Sequence, residues 1–200
     1  MINTIIFDFG DVFINLNKTK VEQELQKLGL TQWNDNLNHL NYQYEIGAIN
    51  EMEFLSGFQK EIPHIDPISI KKAWNSILVN FPLYRLEFLE QLASKYKLFL
   101  LSNTDYTHIE EFKRKVGSAF YNRFINCFEH VYYSFEMGLR KPDKNIYKFI
   151  IEKHQLIAKN TLFVDDKKEN TDAAKKTGLS VWNLQVGKED VTNLFDNFIP

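Results

Sequence analysis

Polar residues follow three apolar runs in this sequence, at the point where each run ends. The runs span residues 4–7, 96–101 and 161–164, and the polar residues after them are Asp8, Ser102 with Asn103, and Asp165 with Asp166. Such runs predict buried strands of a parallel sheet, which is covered on both faces. Because the carboxyl ends of parallel strands meet at one edge of a sheet, we expect these side chains to lie close together.

These residue types suit the binding of a phosphate group beside a metal ion. Carboxylate oxygens are the ligands that Mg²⁺ prefers, and Lys141, in a turn punctuated by Gly and Pro, adds a positive charge. Each residue alone also has a commonplace interpretation. Asp8 could cap the next helix, an Asp-Asp pair often does the same, and a single Lys is usually solvated. The combination predicts a phosphate site with Mg²⁺.

The elements that must position these residues form an α/β pattern. After position 82 apolar runs alternate with helical periodicity, which predicts a doubly wound parallel sheet with right-handed crossovers. Further short strands are expected within 127–133 and 180–182, and a helix over about 109–116. The C-terminal segment ends with apolar residues that include Phe198 and Ile199.

Residues 17–81 carry apolar residues at helical spacing and no convincing strand. A stretch of this length is too long for a crossover between two neighbouring strands. It predicts a small helical cap inserted after strand 1. The expected domains are a core of residues 1–16 and 82–200 and a cap of residues 17–81.

Composition limits the classes of protein that remain. The net charge of −2 gives no indication of nucleic acid or of an anionic membrane as a partner. Cys127 is the single cysteine, which excludes an internal disulfide framework and fits a reducing compartment. No signal peptide and no apolar run of about 20 residues is visible, so we expect a cytoplasmic protein with no membrane span.

Four stretches resemble, in order, the motifs of the haloacid dehalogenase-like hydrolases. They are Asp8-Phe9-Gly10-Asp11-Val12, Leu101-Ser102-Asn103-Thr104, Gly138-Leu139-Arg140-Lys141-Pro142-Asp143 and the stretch from Phe163 to Asn170. The resemblance implies a Rossmann-like core with a C1-type cap. Residues 45–49 and 53–55 are also similar to the cap sequence of small sugar-phosphate phosphatases, including the α-glucose-1-phosphate phosphatase-like branch.

The resemblance implies a nucleophile and a metal site. Asp8 would attack phosphorus to give an aspartyl phosphate. Mg²⁺ would be held by the Asp8 carboxylate, the Gly10 carbonyl and Asp166. Asp165 would act through water or a neighbouring hydrogen bond, and Asn170 would orient the surroundings of the metal.

The resemblance also implies a phosphate-binding set. Ser102 and the Asn103 backbone would bind phosphate oxygens. Lys141 would neutralise charge on the phosphoryl group and keep Asp8 ionised. The expected function is a Mg²⁺-dependent phosphatase, monomeric or homodimeric, that acts on a small phosphate ester and most plausibly on a sugar phosphate.

One position departs from the family pattern. Most phosphatases of this family carry a second Asp two positions after the nucleophile as general acid/base, and this sequence has Gly10 there. Asp11 is adjacent but should point elsewhere. A cap group or water would protonate the leaving oxygen, or the enzyme would be slow or prefer good leaving groups. Two other functions stay open: a phosphoryl-binding or regulatory protein with a degenerate site, and a metal-independent 2-haloacid dehalogenase.

Several other side chains are weaker candidates: three in the cap could face substrate, a histidine could border the pocket, and two arginines could help to bind phosphate. They are Tyr42, Glu45, Asn75, Arg85, His108 and Arg140. For His108, a place in the first turn of a helix is the competing interpretation.

Overall fold

The sheet at the centre of the molecule has five parallel strands in the order β3-β2-β1-β4-β5. The computed structural model describes residues 1–197, so the predicted apolar residues Phe198 and Ile199 lie outside it. The strands are β1 (Thr4–Phe7), β2 (Lys97–Ser102), β3 (His130–Tyr133), β4 (Thr161–Asp165) and β5 (Ser180–Asn183). The predicted doubly wound α/β fold is confirmed.

Strand β1 is central because it pairs with β2 on one side and with β4 on the other. Phe7, its last residue, lies opposite Leu100 and Val164 in the register. Aromatic and aliphatic residues cover both faces: Phe7 belongs to one apolar cluster and Ile6 to another. Cover on both faces explains why the strand sequences do not alternate between apolar and polar residues.

Five helices lie between β1 and β2 in the chain, and the first four of them belong to the 17–81 region. These four are α1 (Lys18–Lys27), α2 (Asp35–Glu45), α3 (Glu51–Glu61) and α4 (Pro67–Asn75). Each begins after an Asn or Asp whose side chain accepts a hydrogen bond from a main-chain N–H of the first turn. They share an apolar cluster of their own around Phe54, Phe58 and Trp74.

The remaining helices flank the sheet. They are α5 (Leu83–Ala93), α6 (Tyr106–Ile125), α7 (Ser134–Met137), α8 (Lys144–Lys153), α9 (Lys168–Lys175) and α10 (Leu194–Asn197). None of the helices within residues 1–197 is long and apolar enough to cross a membrane.

Helix α6 is much longer than the predicted 109–116. Gly117, with a φ of 78°, breaks the helical geometry where the prediction stops, but the helix resumes beyond it. The second part carries Phe124, whose ring lies 5.4 Å from that of Phe9 and 5.8 Å from that of Phe13. Burial of this aromatic face against the core favours continuation of the helix after the glycine.

Candidate active site

Asp8 directly follows β1, where its main-chain N–H donates to the carbonyl of Val164 at 2.9 Å. Its Oδ1 accepts a hydrogen bond of 2.6 Å from the ammonium of Lys141. The same ammonium lies 2.6 Å from Asp165 Oδ2 and 2.8 Å from the carbonyl oxygen of Leu101. Lys141 is only 1% exposed, so these three acceptors replace the water that its charge has lost. The structure thus brings the predicted nucleophile and the predicted cation into contact.

The carboxyl of Asp8 lies in a strongly perturbed electrostatic environment. Burial and the neighbouring Asp165 and Asp166 together raise its pKa to about 7, against the opposing effect of Lys141. Burial alone would lower the pKa of Lys141, but Asp165 and Asp8 outweigh it and raise the pKa. Lys141 therefore stays charged beside these acidic groups.

Asp165 is held on every side by hydrogen bonds. Its two oxygens accept from Asn170 Nδ2 at 2.9 and 3.0 Å, and Oδ1 also accepts from the Lys167 main-chain N–H at 2.8 Å. With Lys141 on its other oxygen, this fully buried carboxylate is fixed in place. Asn170 contacts Asp165 itself, which fits its expected orienting role.

Three carboxylates converge where β1 and β4 end. One oxygen each from Asp8, Asp165 and Asp166 lies within 4.8 Å of the other two. Asp166 is half-buried, and burial together with Asp165 raises its pKa. The Lys141 ammonium contacts Asp8 and Asp165, and the Lys18 ammonium lies 3.9 Å from Asp166 Oδ2. The three carboxylates nevertheless form a hard-oxygen environment that a divalent cation such as Mg²⁺ stabilises. The residues present therefore fit the metal that the sequence implies.

The sequence did not indicate that Asn183 holds the main chain of Asp165 and Asp166 in place. Asn183, the last residue of β5, donates from Nδ2 to the carbonyl oxygens of Asp165 at 3.2 Å and Asp166 at 2.8 Å. A polar residue at the end of the neighbouring parallel strand was the signal that could have revealed it.

Asn103 also has a contact that the sequence did not indicate. Its side chain is hydrogen-bonded to the main chain of Lys141 in both directions. Ser102 is 2% exposed, and both residues line the same cavity as Asp8. The predicted phosphate-binding residues thus lie beside the predicted nucleophile.

Gly10 lines the cavity in close contact with Leu16. A Cβ atom at position 10 would lie 2.8 Å from Leu16 Cδ1, which is too close without movement of the leucine. Asp11, next in the chain, has a φ of 57° and accepts from the Leu16 main-chain N–H at 2.9 Å. Its other oxygen lies 3.2 Å from the Lys18 ammonium. The Asp11 carboxylate is thus already bound by two groups.

The cavity in front of Asp8 has a volume of about 190 Å³. The 17–81 region supplies part of its wall. The lining residues from its helices are Lys18, Asn41, Glu45 and Trp74, and Ile77 and Leu78 follow just beyond α4. Among the weaker sequence candidates, Glu45 and His108 line this cavity, whereas Tyr42, Asn75, Arg85 and Arg140 do not.

His108 occupies the first turn of α6 and lines the cavity, so both interpretations of this residue hold. Its main-chain N–H donates to Asp105 at 2.8 Å, and its Nδ1 lies 2.9 Å from the same carboxylate. The ring stacks on Trp74 with centroids 5.1 Å apart, and Trp74 Nε1 donates to Asp105 at 3.0 Å. Asp105 therefore joins the first turn of α6 to helix α4.

Comparison with known proteins agrees with this geometry. The family model described as haloacid dehalogenase-like hydrolase matches residues 2–178. A D-ribitol-5-phosphate phosphatase from Bacteroides thetaiotaomicron is 27% identical over 199 residues, which cover 94% of this chain and 95% of that protein.

Solved structures give the same result. A HAD family enzyme from Bacteroides thetaiotaomicron, in complex with magnesium and inorganic phosphate, is 31% identical with a TM-score of 0.88, over 98% of this chain and 100% of that one. A predicted HAD-like family hydrolase from Porphyromonas gingivalis is 25% identical with a TM-score of 0.83, over 94% of each chain. The resemblance stated from the motifs is confirmed: this chain belongs to the haloacid dehalogenase-like hydrolases.

Proposed function

We propose that this protein is a Mg²⁺-dependent phosphatase that hydrolyses a small phosphorylated metabolite of the sugar-phosphate class. The main support is the position of the buried Lys141 ammonium between Asp8 and Asp165, with Asp166 nearby, in the wall of a small cavity. The magnesium and phosphate bound by one relative and the ribitol-5-phosphate named for another support this proposal.

In this proposal Asp8 is the nucleophile. One carboxylate oxygen bonds to phosphorus while the ester P–O bond breaks, and the departing alcohol oxygen takes a proton from water or from a group of the 17–81 region, since Gly10 has none to give. Water then attacks the aspartyl phosphate, which releases inorganic phosphate and restores the carboxylate. Lys141 keeps Asp8 ionised before attack and offsets charge on the phosphoryl oxygens, and Ser102 and the Asn103 main chain bind those oxygens.

The Asp8 carboxylate, the Gly10 carbonyl and Asp166 would hold Mg²⁺. When bound, the ion would act as a Lewis acid on a phosphoryl oxygen and offset the negative charge of the carboxylates. Asp165 would act indirectly, since its oxygens are engaged by Lys141, Asn170 and the Lys167 main chain. Its task would be to hold Lys141 and the end of β4 in position.

We further propose that residues 17–81 form a cap over this site, on a core of residues 1–16 and 82–200. The support is the separate apolar cluster of α1–α4 and the cap residues in the cavity wall. The cavity of about 190 Å³ is smaller than the roughly 300–1,000 Å³ typical of sites for drug-sized ligands, which favours a small substrate over a nucleotide. A cytoplasmic location and a monomeric or homodimeric state stay predictions.

Phosphate release from a panel of sugar phosphates, nucleotides and p-nitrophenyl phosphate, with Mg²⁺ and with chelator, tests the proposal. We expect turnover of a small sugar phosphate that chelator abolishes. Binding of Mg²⁺ without turnover of any panel member would instead support the phosphoryl-binding alternative. Halide release from a 2-haloacid without metal would support a dehalogenase, for which three carboxylates beside an anionic substrate are unfavourable.

A further inference from the structure

Two side chains of α2 face the cavity from the side of the cap. Asn41 and Glu45 are four residues apart and therefore lie on the same face of the helix. Asn41 Oδ1 is buried and accepts no hydrogen bond from any residue within 1–197. A buried acceptor without a partner is unfavourable in the free protein, and it is satisfied when a ligand brings a donor.

Glu45 adds further acceptor atoms without adding net charge. Its Oε2 lies 2.9 Å from Nη1 of Arg140, so its negative charge is compensated by the guanidinium. Arg140 lies outside the cavity lining, whereas Glu45 is part of it. The wall near Asn41 and Glu45 therefore offers oxygen acceptors to a ligand, but it does not require the ligand to be a cation.

Acceptors select for hydroxyl groups and against a second anion. A hydroxyl can donate to a carboxylate or amide oxygen, whereas a carboxylate or second phosphate would place oxygen against oxygen in a confined site. Haloacids and phosphorylated carboxylic acids both carry such an anionic group. A polyol or sugar with one phosphate carries none beyond the phosphate that Asp8 would attack.

We propose that Asn41 and Glu45 accept hydrogen bonds from substrate hydroxyls, and that they thereby select neutral polyhydroxylated monophosphates over phosphate esters with a second anionic group. This inference rests on the proposed phosphatase function and extends it to specificity. The two residues bind the part of the substrate that does not react.

The experiment compares kcat/KM, with Mg²⁺, on substrates that differ in single respects. A pentitol 5-phosphate and n-pentyl phosphate share a primary alkyl leaving oxygen, but only the first carries hydroxyl groups. 3-Phosphoglycerate carries a carboxylate as a second anionic group. p-Nitrophenyl phosphate has a good leaving group and reports the chemical step. We expect wild type to prefer the pentitol phosphate over n-pentyl phosphate and over 3-phosphoglycerate by about tenfold or more, equivalent to ~1.4 kcal/mol.

Asn41→Leu replaces the unpartnered amide by an apolar side chain of similar shape. We expect about a tenfold loss of kcat/KM on the pentitol phosphate, ~1.4 kcal/mol, mainly through KM, and changes within about twofold on n-pentyl and p-nitrophenyl phosphate. The Tm of this variant should not fall, because a buried unpaired acceptor is removed. Asn75→Leu is the matched control, since Asn75 Oδ1 is also buried and unpartnered within residues 1–197 but lines a different cleft.

Glu45→Gln provides a second, independent variant. This variant leaves the positive charge of Arg140 uncompensated, which should shift the ratio of kcat/KM for 3-phosphoglycerate to that for the pentitol phosphate towards 3-phosphoglycerate, again by about tenfold. Equal losses on the pentitol and n-pentyl phosphates in both variants would overturn the hydroxyl assignment, as would wild-type preference for 3-phosphoglycerate. Lack of Mg²⁺-dependent turnover of p-nitrophenyl phosphate by wild type would overturn the phosphatase function itself, and this inference with it.

Discussion

The side chain of Asn103 forms two hydrogen bonds with the main chain of Lys141. Asn103 Oδ1 accepts from the Lys141 N–H at 2.9 Å, and Asn103 Nδ2 donates to the Lys141 carbonyl at 2.8 Å. Asn103 follows β2, whereas Lys141 lies in the turn before α8. This contact fixes the turn to the end of the sheet and sets where the ammonium of Lys141 can reach.

Asn103→Ala should therefore reduce activity through Lys141. Loss of two hydrogen bonds, each worth about 0.5–1.5 kcal/mol, should lower the free energy of unfolding by roughly 1–3 kcal/mol. We expect kcat/KM on p-nitrophenyl phosphate to fall by about 10–100-fold, because a slightly misplaced catalytic group is costly. Asn80→Ala, which removes the exposed Asn15–Asn80 side-chain contact of 3.0 Å, is the control and should leave kcat/KM unchanged.

Asp8→Asn should abolish phosphate release while the protein stays folded. The amide cannot serve as the nucleophile, but Lys141 keeps its contacts with Asp165 and the Leu101 carbonyl. Phosphate release with Mg²⁺ and the circular dichroism spectrum check the two parts. Wild-type rates in the variant would remove Asp8 from the mechanism.

Asp11→Asn is the matched change three positions along the chain. Asn tolerates the φ of 57° at this position and can still accept from the Leu16 N–H. A general acid typically contributes about 10²–10⁴-fold, so we expect a loss of less than roughly tenfold in kcat/KM. A larger loss confined to alkyl phosphates would identify Asp11 as the missing acid.

Gly10→Ala should be destabilising because of Leu16. The new Cβ would lie 2.8 Å from Leu16 Cδ1, and such overpacking typically costs about 1–3 kcal/mol. The lower end is expected, since the contact is with the tip of a flexible side chain. Urea denaturation of both single variants and of Gly10→Ala/Leu16→Ala gives the coupling between them. In the Leu16→Ala background, Gly10→Ala should no longer lower the free energy of unfolding. If the effects of the two single substitutions on that free energy simply add, the contact with Leu16 is not the cause of the destabilisation.

Magnesium should stabilise the wild-type protein against heat. A ligand at 100 times its Kd adds about 2.7 kcal/mol to the free energy of unfolding. The proposed ligands, Asp8, the Gly10 carbonyl and Asp166, would come together only in the folded state. We expect a Tm increase with Mg²⁺ that chelator reverses, and a much smaller increase for Asp166→Asn. Asp172→Asn, at an exposed position on α9, should respond like wild type. An unaltered response of Asp166→Asn would exclude that residue as a ligand.

The contact between His108 and Asp105 should make stability depend on pH. Burial opposes the charged imidazole, but the carboxylate of Asp105 outweighs it, so the pKa of His108 is raised above its ordinary value near 6.5. The contribution of the His108–Asp105 contact to the free energy of unfolding is therefore complete below a pH of about 6.5. It is lost as the pH rises through the higher pKa of His108 in the folded state. The difference in free energy of unfolding between wild type and His108→Gln should shrink over that range.

The ends of the strands were predictable because the rule that locates them is local. An apolar run that stops at a polar residue identifies both a buried strand and its carboxyl end, and the parallel sheet then brings Asp8, Ser102 and Asp165 to one edge. Lys141 was predictable from its motif. Its contact with both Asp8 and Asp165 was not, since it depends on how the turn before α8 folds back over the sheet.

The part of the cavity wall that residues 17–81 contribute could not be predicted from the sequence to the same extent. Which residues of α2 and α4 face the cavity depends on the rotation of each helix against the core, and helical periodicity shows only the apolar face. Glu45 and Asn75 were both candidates, but only Glu45 lies in the cavity wall. The length of α6 was underestimated because Gly117 is a stop signal in local terms, whereas aromatic packing beyond it is a tertiary effect.

The central place of β1 has a consequence for biosynthesis. Thr4 pairs with Lys97 on one side and with Thr161 on the other, so β1 precedes both of its partner strands and they are translated at widely separated times. Until β4 has left the exit tunnel, the nascent chain carries an apolar segment with one unpaired edge, the kind of surface that chaperones shield. Asp8 thus acquires the electrostatic surroundings supplied by Lys141 and Asp165 only after β4 has been translated, and a product truncated before β4 would present a strand prone to aggregation.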